Sequence, residues 1–266
     1  MTLNEHALAS DGGTRRPRRS VLGMHVDAGT YRSTVDGIMG WAGEPTPRPR
    51  YVCCANVHMT MESYDSPEFR GVVNGADLVT SDGMPLVWML RRLGVPGAEQ
   101  VNGPTLTLAV CEAAATQGVK VGFYGGSEQV LASLRAEFTT RFPALDIGYS
   151  YSPPFRALSQ AEDDRIVADI LDSGIRILFV GLGCPKQERW MARHKDRLPV
   201  VQLGVGAAFD FHAGKVKRAP TWMQQRGLEW LFRLSAEPRR LWRRYLYNNP
   251  RFMALAALQL AGVKKF

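Results

Sequence analysis

Two apolar strands in the second half of the chain each end in a glycine turn that opens into a helix. The first turn is Gly181-Leu182-Gly183 and the second is Gly204-Val205-Gly206. Such turns let backbone N–H groups approach an anion, and the following helix N-terminus adds positive partial charge. A single turn of this kind equally suits a plain strand-to-helix connection. Two in succession, with Lys186 beside the first, favour a phosphorylated ligand such as a diphosphate.

Strand and helix signals alternate from about residue 21 to Asp210. Strands that alternate with helices of ten to fifteen residues predict an α/β fold, here a Rossmann-like, doubly wound and mostly parallel sheet with helices on both faces. Ligands bind such sheets at the carboxyl ends of the strands. We therefore expect an α/β catalytic domain over residues 21–219, followed by a helical appendage over residues 220–266.

The positive charge of the chain is concentrated in this appendage. The net charge is +8, and residues 226–266 contain nine basic and two acidic residues. Residues 220–249 have the pattern of two helices rich in Trp and Arg, broken at Glu237-Pro238. A basic, Trp-rich helix is typical of an element that lies on an anionic membrane and contacts lipid phosphates. The alternative is a solvated basic surface over a Trp/Leu core.

The beginning of the chain and the cysteines indicate a cytosolic protein. Residues 1–20 are polar and Arg-rich, which predicts a disordered leader without a secretory signal. The four cysteines have no metal-ligand spacing, and reduced thiols are the natural interpretation. Residues 252–263 form a late apolar stretch that is too short to cross a bilayer.

Asp82 is the candidate general base. It follows a short strand beside the expected diphosphate turns, and a carboxylate there can accept a proton from a sugar hydroxyl. An Asp-Gly pair also suits a plain turn. Asn56, at the neighbouring strand end, could hold a hydroxyl or an acetamido group, or simply form a turn. His58 and His212 could share the base role, although each equally suits a structural hydrogen bond.

Further residues of the expected crevice could bind a nucleotide-sugar donor. Lys186 could neutralise phosphate, Gln187 and Glu188 could contact a base or ribose, and Asp210 could bind sugar hydroxyls. Solvent exposure, the helix dipole and loop capping are the structural alternatives. The predicted donor-binding set is Asn56, Gly125, Gly126, Gly183, Lys186, Gln187, Glu188, Gly206 and Asp210. Because the sequence has no D-x-D motif and no His/Cys cluster, we expect no metal and no cofactor.

The chain resembles the WecG/TagA/CpsF glycosyltransferases, glycosyltransferase family 26, over about residues 21–250. The segments that carry the resemblance are residues 55–58, 76–85, 180–188, 204–211, 213–222 and 227–234. The resemblance implies an inverting, metal-independent enzyme of bacterial cell-surface polysaccharide or teichoic acid synthesis. Such an enzyme moves a hexose or an N-acetylhexosamine (N-acetylmannosamine or glucose-type) from a UDP-sugar to a polyprenyl-diphosphate-linked sugar.

The resemblance also implies roles for particular residues and partners. Asp82 occupies the position of the proposed base, and Arg233, Arg240 and Arg243 match arginines thought to grip the lipid diphosphate. Cys54 stands where the family has a threonine. The implied partners are the UDP-sugar, the lipid-linked acceptor and an anionic membrane surface, with no nucleic acid. The implied location is cytoplasmic, on the inner face of the cell membrane; association into a homo-oligomer stays open.

Two other functional classes compete with this interpretation. A dinucleotide-dependent oxidoreductase would share the sheet, but it needs G-x-G-x-x-G and an acidic residue about 20 positions beyond. Both glycine turns lack the third glycine and that acid. A non-enzymatic module that binds nucleic acid or membrane would explain the basic appendage. It would not explain why polar residues collect in the crevice at the strand ends.

Overall fold

A computed structural model describes residues 16–266. A six-stranded, all-parallel sheet in the order β4-β3-β8-β7-β5-β6 forms its centre, and a two-stranded antiparallel hairpin, β1-β2, precedes it. The strands are β1 (Arg18–Val21), β2 (Met24–Asp27), β3 (Arg50–Ala55), β4 (Leu78–Ser81), β5 (Val121–Gly125), β6 (Ile147–Tyr151), β7 (Ile177–Gly181) and β8 (Val201–Gly204). The α/β, Rossmann-like fold class predicted from the sequence is confirmed.

Helices connect the parallel strands and cover both faces of the sheet. They are α1 (Tyr31–Ala42), α2 (Val57–Asp65), α3 (Pro67–Asn74), α4 (Met84–Arg92), α5 (Gly103–Gln117), α6 (Glu128–Arg141), α7 (Gln160–Asp172), α8 (Lys186–His194), α9 (Ala208–His212), α10 (Thr221–Gln225), α11 (Glu229–Ala236) and α12 (Pro238–Leu260). Several of these helices start at a serine whose side chain caps the first turn. Ser66 accepts from the Phe69 N–H before α3, and Ser159 forms a reciprocal capping box with Glu162 before α7.

The two faces of the sheet form two separate hydrophobic cores. Along β3, Cys53 belongs to one core and Cys54 to the other, because successive side chains of a strand point to opposite faces. All four cysteines are free. Burial on both faces explains why β7 and residues 51–55 of β3 have continuous apolar sequences rather than alternating ones.

The hairpin β1-β2 corrects the predicted extent of the leader. The sequence predicts disorder through residue 20, but Arg18–Val21 is a strand. Arg18 donates from Nε and Nη2 to the two oxygens of the buried Asp27, at 2.7 and 3.0 Å. Asp27 Oδ2 also accepts from the Val79 N–H at 2.8 Å, which ties the hairpin to β4. Residues 1–15 of the predicted leader lie outside the described residues.

The C-terminal helices pack against the sheet domain rather than only projecting from it. In the second half of α12, Phe252 and Ala256 are buried in the same core as Cys53. Arg251 forms an ion pair with Asp65 of α2 at 2.6 Å. Gln259 accepts from the Leu22 N–H at 3.0 Å and donates to the Ser20 carbonyl at 2.8 Å. The last turns of α12 are therefore hydrogen-bonded to the N-terminal hairpin.

Across residues 16–266, none of the helices has the length and apolarity needed to cross a bilayer.

Candidate active site

A cleft of about 1740 Å³ lies at the carboxyl ends of the parallel strands. Its floor consists of the turns after β3, β4, β5, β7 and β8, and helices α11 and α12 form the opposite wall. Predicted residues that border it are Asn56, Asp82, Gly126, Gly183, Lys186, Gln187, Gly206, Asp210, Arg233 and Arg240. The parallel sheet thus brings together residues that are far apart in sequence.

Asp82 lies at the floor of the cleft, with its backbone fixed by hydrogen bonds. Its N–H donates to the Ala55 carbonyl at 2.8 Å, and the Gln100 side chain donates to its carbonyl at 2.6 Å. Burial is the main cause that raises the pKa of Asp82 to about 7, and the nearby charge of Glu229 acts in the same direction. Hydrogen bonds from Asn56 and the charge of Arg233 oppose this shift. A carboxyl group with this pKa is suited to general base catalysis near neutral pH.

Asn56 links the end of β3 to the carboxyl of Asp82. Its side-chain oxygen caps α2 by accepting from the N–H groups of His58 at 3.1 Å and Met59 at 3.3 Å. The NH₂ group of Asn56 is then the part of the side chain that faces Asp82, and its hydrogen bond lowers the pKa of that carboxyl. Asn56 is therefore both a helix cap and a partner of the candidate base.

The two histidines have structural hydrogen bonds. Burial lowers the pKa of His58 to about 4, and the charge of Arg244 acts in the same direction. Its Nδ1 lies 3.2 Å from Nδ2 of Asn248, which joins α12 to α2. Nε2 of His212 lies 2.9 Å from the Pro104 carbonyl oxygen, and burial lowers its pKa. His58 is too weak a base to share the role of Asp82 at neutral pH.

The two glycine turns are joined by a side chain instead of being left open for an anion. The backbone N–H groups of Gly183 and Gly206 both donate to Oε1 of Gln187, at 3.2 and 3.1 Å. Both glycines have positive φ angles, +79° and +57°. Because these two N–H groups are already paired, the expectation that they bind a diphosphate directly does not fit the structure.

Gln187 and Glu188 are buried beneath the cleft. Nε2 of Gln187 donates to Oε1 of Glu188 at 2.6 Å, and Glu188 is 0% exposed. Burial raises the pKa of Glu188 to about 7. The prediction that Glu188 contacts a base or ribose is corrected, since its carboxyl does not reach the cleft surface. Lys186, by contrast, is exposed at the rim.

Gly125 and Gly126 have different roles at the end of β5. A Cβ on Gly125 would lie 2.6 Å from the carbonyl carbon of Gly181, so only glycine allows β5 and β7 to approach this closely. The Gly126 N–H donates to the Gly181 carbonyl at 3.2 Å. Gly126 borders the cleft, whereas Gly125 lies behind it.

The break between α11 and α12 changes which arginines face the cleft. Arg233 lies on α11 and Arg240 on α12, and both border the cleft. Arg243 does not: it is exposed, with its guanidinium 5.4 Å from the centre of the Trp242 ring. Arg244 borders the cleft instead, because it is four residues beyond Arg240 and shares its helix face. The sequence prediction missed Arg244, although this i, i+4 spacing could have indicated it.

Two arginines of this wall have side-chain donors that make no hydrogen bond within the protein. The Nε atoms of Arg233 and Arg244 are buried without a hydrogen-bond partner. Burial lowers the pKa of Arg244. Among the residues that the structure describes, no group of three or more His, Cys, Asp or Glu side chains is placed to hold a metal ion.

Comparison with known proteins agrees with this geometry. The model of the glycosyl transferase WecG/TagA/CpsF family matches residues 19–265. One curated relative is the N-acetylglucosaminyldiphosphoundecaprenol N-acetyl-beta-D-mannosaminyltransferase of Bacillus spizizenii. It is 32% identical over 198 residues, which cover 74% of this chain and 74% of the relative. The chain is therefore a glycosyltransferase and belongs to the WecG/TagA/CpsF family.

Proposed function

We propose that this glycosyltransferase moves a hexose or an N-acetylhexosamine from a UDP-sugar to a polyprenyl-diphosphate-linked sugar. The observation that carries the proposal is Asp82, a carboxyl with a pKa of about 7 on the floor of a large cleft whose opposite wall is basic. The name of the Bacillus spizizenii relative specifies a diphosphoundecaprenol-linked acceptor and an N-acetylmannosaminyl group. This name supports the lipid-linked acceptor and the class of the transferred sugar.

In the proposed reaction, Asp82 accepts the proton of an acceptor hydroxyl. The acceptor oxygen attacks the anomeric carbon of the donor, and the bond from that carbon to the UDP oxygen breaks. UDP departs with the bonding electron pair, and the proton stays on Asp82 until solvent removes it. A single displacement of this kind inverts the anomeric configuration.

Charge in the cleft supports the binding of the two diphosphates. Lys186 at the rim is the proposed partner of the donor diphosphate, and Asp210 of the donor hydroxyls. Arg233 and Arg240 are the proposed partners of the lipid diphosphate, together with Arg244 in place of Arg243. Guanidinium groups suit this role because they bind phosphate with two parallel hydrogen bonds. Metal-independent transfer is part of the proposal.

The exposed surface of the C-terminal helices supports peripheral binding to the inner face of the cell membrane. Large apolar side chains are exposed there, including Trp222, Trp242, Leu246 and Met253. Basic residues lie between them, and each basic residue near an anionic surface contributes about 1 kcal/mol. Under this proposal, the basic wall of the cleft lies beside the surface from which a lipid-linked acceptor would be presented.

A donor and acceptor screen tests the proposal. The full chain would be mixed with individual UDP-sugars and a short-chain polyprenyl-diphosphate N-acetylglucosamine, and UDP release and the glycosylated lipid would be measured. We expect one UDP-hexose or UDP-N-acetylhexosamine to give acceptor-dependent UDP release that the Asp82→Asn variant loses. Absence of acceptor-dependent UDP release from every UDP-sugar, with no glycosylated lipid formed by the folded protein, would overturn the proposed donor and acceptor.

A further inference from the structure

The wall of the cleft opposite Asp82 carries a second carboxylate. Glu229 is the first residue of α11 and borders the same cleft as Asp82. Arg233 follows one helical turn later and also borders the cleft. An acidic and a basic side chain are therefore presented to the floor by one helix, outside the sheet that carries the candidate base.

A close backbone contact holds the start of α11 near Asp82. Gly227 has a φ of +69°, and a Cβ on it would lie 2.9 Å from Cη2 of Trp88 and 3.2 Å from Cβ of Met84. Both neighbours belong to α4, which begins two residues after Asp82. Because glycine lets the chain before α11 approach α4 this closely, Glu229 enters the cleft two residues beyond a contact with the segment that follows Asp82.

The groups that act on Asp82 come from several elements. They are Glu229 and Arg233 of α11, Asn56 after β3 and the Gly103 N–H of α5. The charge of Asp82 in turn acts on the nearby Tyr31 of α1 and Cys54 of β3. Burial raises the pKa of both Tyr31 and Cys54, so these two groups are neutral near pH 7. Asn56 and the Gly103 N–H are neutral donors. The charged groups in this set are therefore Glu229 and Arg233, and they affect the pKa of Asp82 in opposite directions.

We propose that Glu229 is a positioning residue of the transfer reaction, whose carboxylate, presented to the cleft by the first turn of α11, makes Asp82 a stronger base. The proposal rests on the proposed function of Asp82 as the general base. A carboxylate beside another carboxylate disfavours loss of the proton, and a stronger base has a larger driving force for taking the hydroxyl proton. Glu229 contacts neither reactant in this proposal and acts through Asp82.

The proposal also connects acceptor binding with base strength. Arg233 opposes Glu229 in the free enzyme. A lipid diphosphate bound to Arg233 adds negative charge to the same wall, and this charge acts on Asp82 in the same direction as Glu229. The base is then strongest when the acceptor is in place.

A titration of the full chain without substrate tests this role. Aspartate carboxyl carbons would be ¹³C-labelled, and the Asp82 signal would be assigned by its loss in Asp82→Asn. We expect Glu229→Gln to lower the titration midpoint of Asp82 and Glu229→Asp, which keeps the charge, to stay near the wild-type midpoint. The exposed Glu137 of α6 supplies the matched control, because Glu137→Gln removes the same charge far from Asp82 and should leave the midpoint unchanged. An unchanged midpoint in a folded Glu229→Gln protein would overturn the proposal.

The rate of transfer gives the second measurement. In Glu229→Gln the acidic limb of the kcat profile should move to lower pH, so that at pH 6 the variant retains a larger fraction of its own maximal rate than the wild type. A uniform loss of rate at every pH, with no displacement of the limb, would assign Glu229 to substrate contact or folding and overturn the proposal. Since the titration needs no substrate, failure to find any sugar transfer would count against the proposed function alone.

Discussion

Replacement of Asp82 by Asn should stabilise the folded protein at neutral pH while it removes sugar transfer. In the folded protein, burial is the main cause that raises the pKa of Asp82 to about 7. In an unfolded chain an aspartate titrates near 3.9, roughly three units lower. The folded protein therefore holds the proton of Asp82 more tightly than the unfolded chain does, and ionisation of this group opposes folding.

The sign and size of the effect follow from this difference. Below about pH 4 the carboxyl is protonated in both states, so it contributes no difference. As the pH rises from about 4 through about 7, the unfolded chain loses a proton that the folded protein keeps, and wild-type stability falls. At 1.36 kcal/mol per unit, the full penalty above about pH 8 has an upper limit of about 4 kcal/mol. Because the cleft admits water to part of the side chain, we expect about 1–2 kcal/mol.

Urea denaturation at pH 5 and pH 8 measures this penalty. The free energy of unfolding of Asp82→Asn, relative to wild type, should be larger at pH 8 than at pH 5. The contribution of Glu188, whose pKa is also raised to about 7, is present in both proteins and cancels. The exposed Asp172 of α7 gives a matched control, since Asp172→Asn should show no such pH dependence. Transfer by Asp82→Asn should fall by about 10²–10⁴-fold, the usual range for loss of a general base.

Two results would refute this reasoning. If Asp82→Asn and wild type differ by the same unfolding free energy at pH 5 and pH 8, the carboxyl does not have a raised pKa in the folded protein. The physical basis for its role as base at neutral pH would then be lost. Near-wild-type transfer by a folded Asp82→Asn protein would remove Asp82 from the mechanism altogether.

Three further predictions concern the acceptor, the membrane and metals. Arg244→Ala should raise the KM for the lipid-linked acceptor about 10–100-fold, the equivalent of one charged hydrogen bond, whereas Arg243→Ala should leave it near wild type; equal effects in a kinetic comparison would contradict the assignment of Arg244. Binding of the full chain to anionic vesicles in a sedimentation assay should weaken as salt is added, because the attraction is electrostatic; salt-independent binding would contradict a basic membrane surface. Treatment with EDTA should leave the measured transfer rate largely unchanged, and a loss restored by Mn²⁺ would refute the metal-independent mechanism.

The sheet and the position of the candidate base are predictable because they depend on local sequence patterns and one topological rule. Apolar runs followed by turn residues specify the parallel strands, and parallel strands present their carboxyl ends at one edge. Asp82 and Asn56 follow neighbouring strands and therefore lie together. Strand β6 is not predicted by these patterns, because it is a short edge strand with no fully buried residue and so has no apolar run.

Side-chain competition inside the site is not predictable from local patterns. The pattern Gly-x-Gly indicates available N–H groups, but it does not show that Gln187 from the following helix bonds those of Gly183 and Gly206. The break near Glu237 puts Arg233 on α11 and Arg240 on α12, so a single helix wheel does not relate these two arginines, although the i, i+4 spacing of Arg240 and Arg244 is visible in the sequence. Arg18 looks like part of a solvated basic leader until its bonds to the buried Asp27 are seen.

The hydrogen bonds between Gln259 and the N-terminal hairpin have a consequence for the synthesis of the protein. Gln259 follows its partner Leu22 by 237 positions. At ribosomal rates of about 5–20 residues per second, the hairpin waits roughly 12–47 s before its partner has been translated. Late in that interval, after β8 has been translated and before α11 has been, the nascent chain has its parallel strands but lacks the wall that carries Glu229, Arg233 and Arg244. The complete site, together with the exposed apolar surface of the C-terminal helices, therefore forms only after almost the whole polypeptide has left the ribosome.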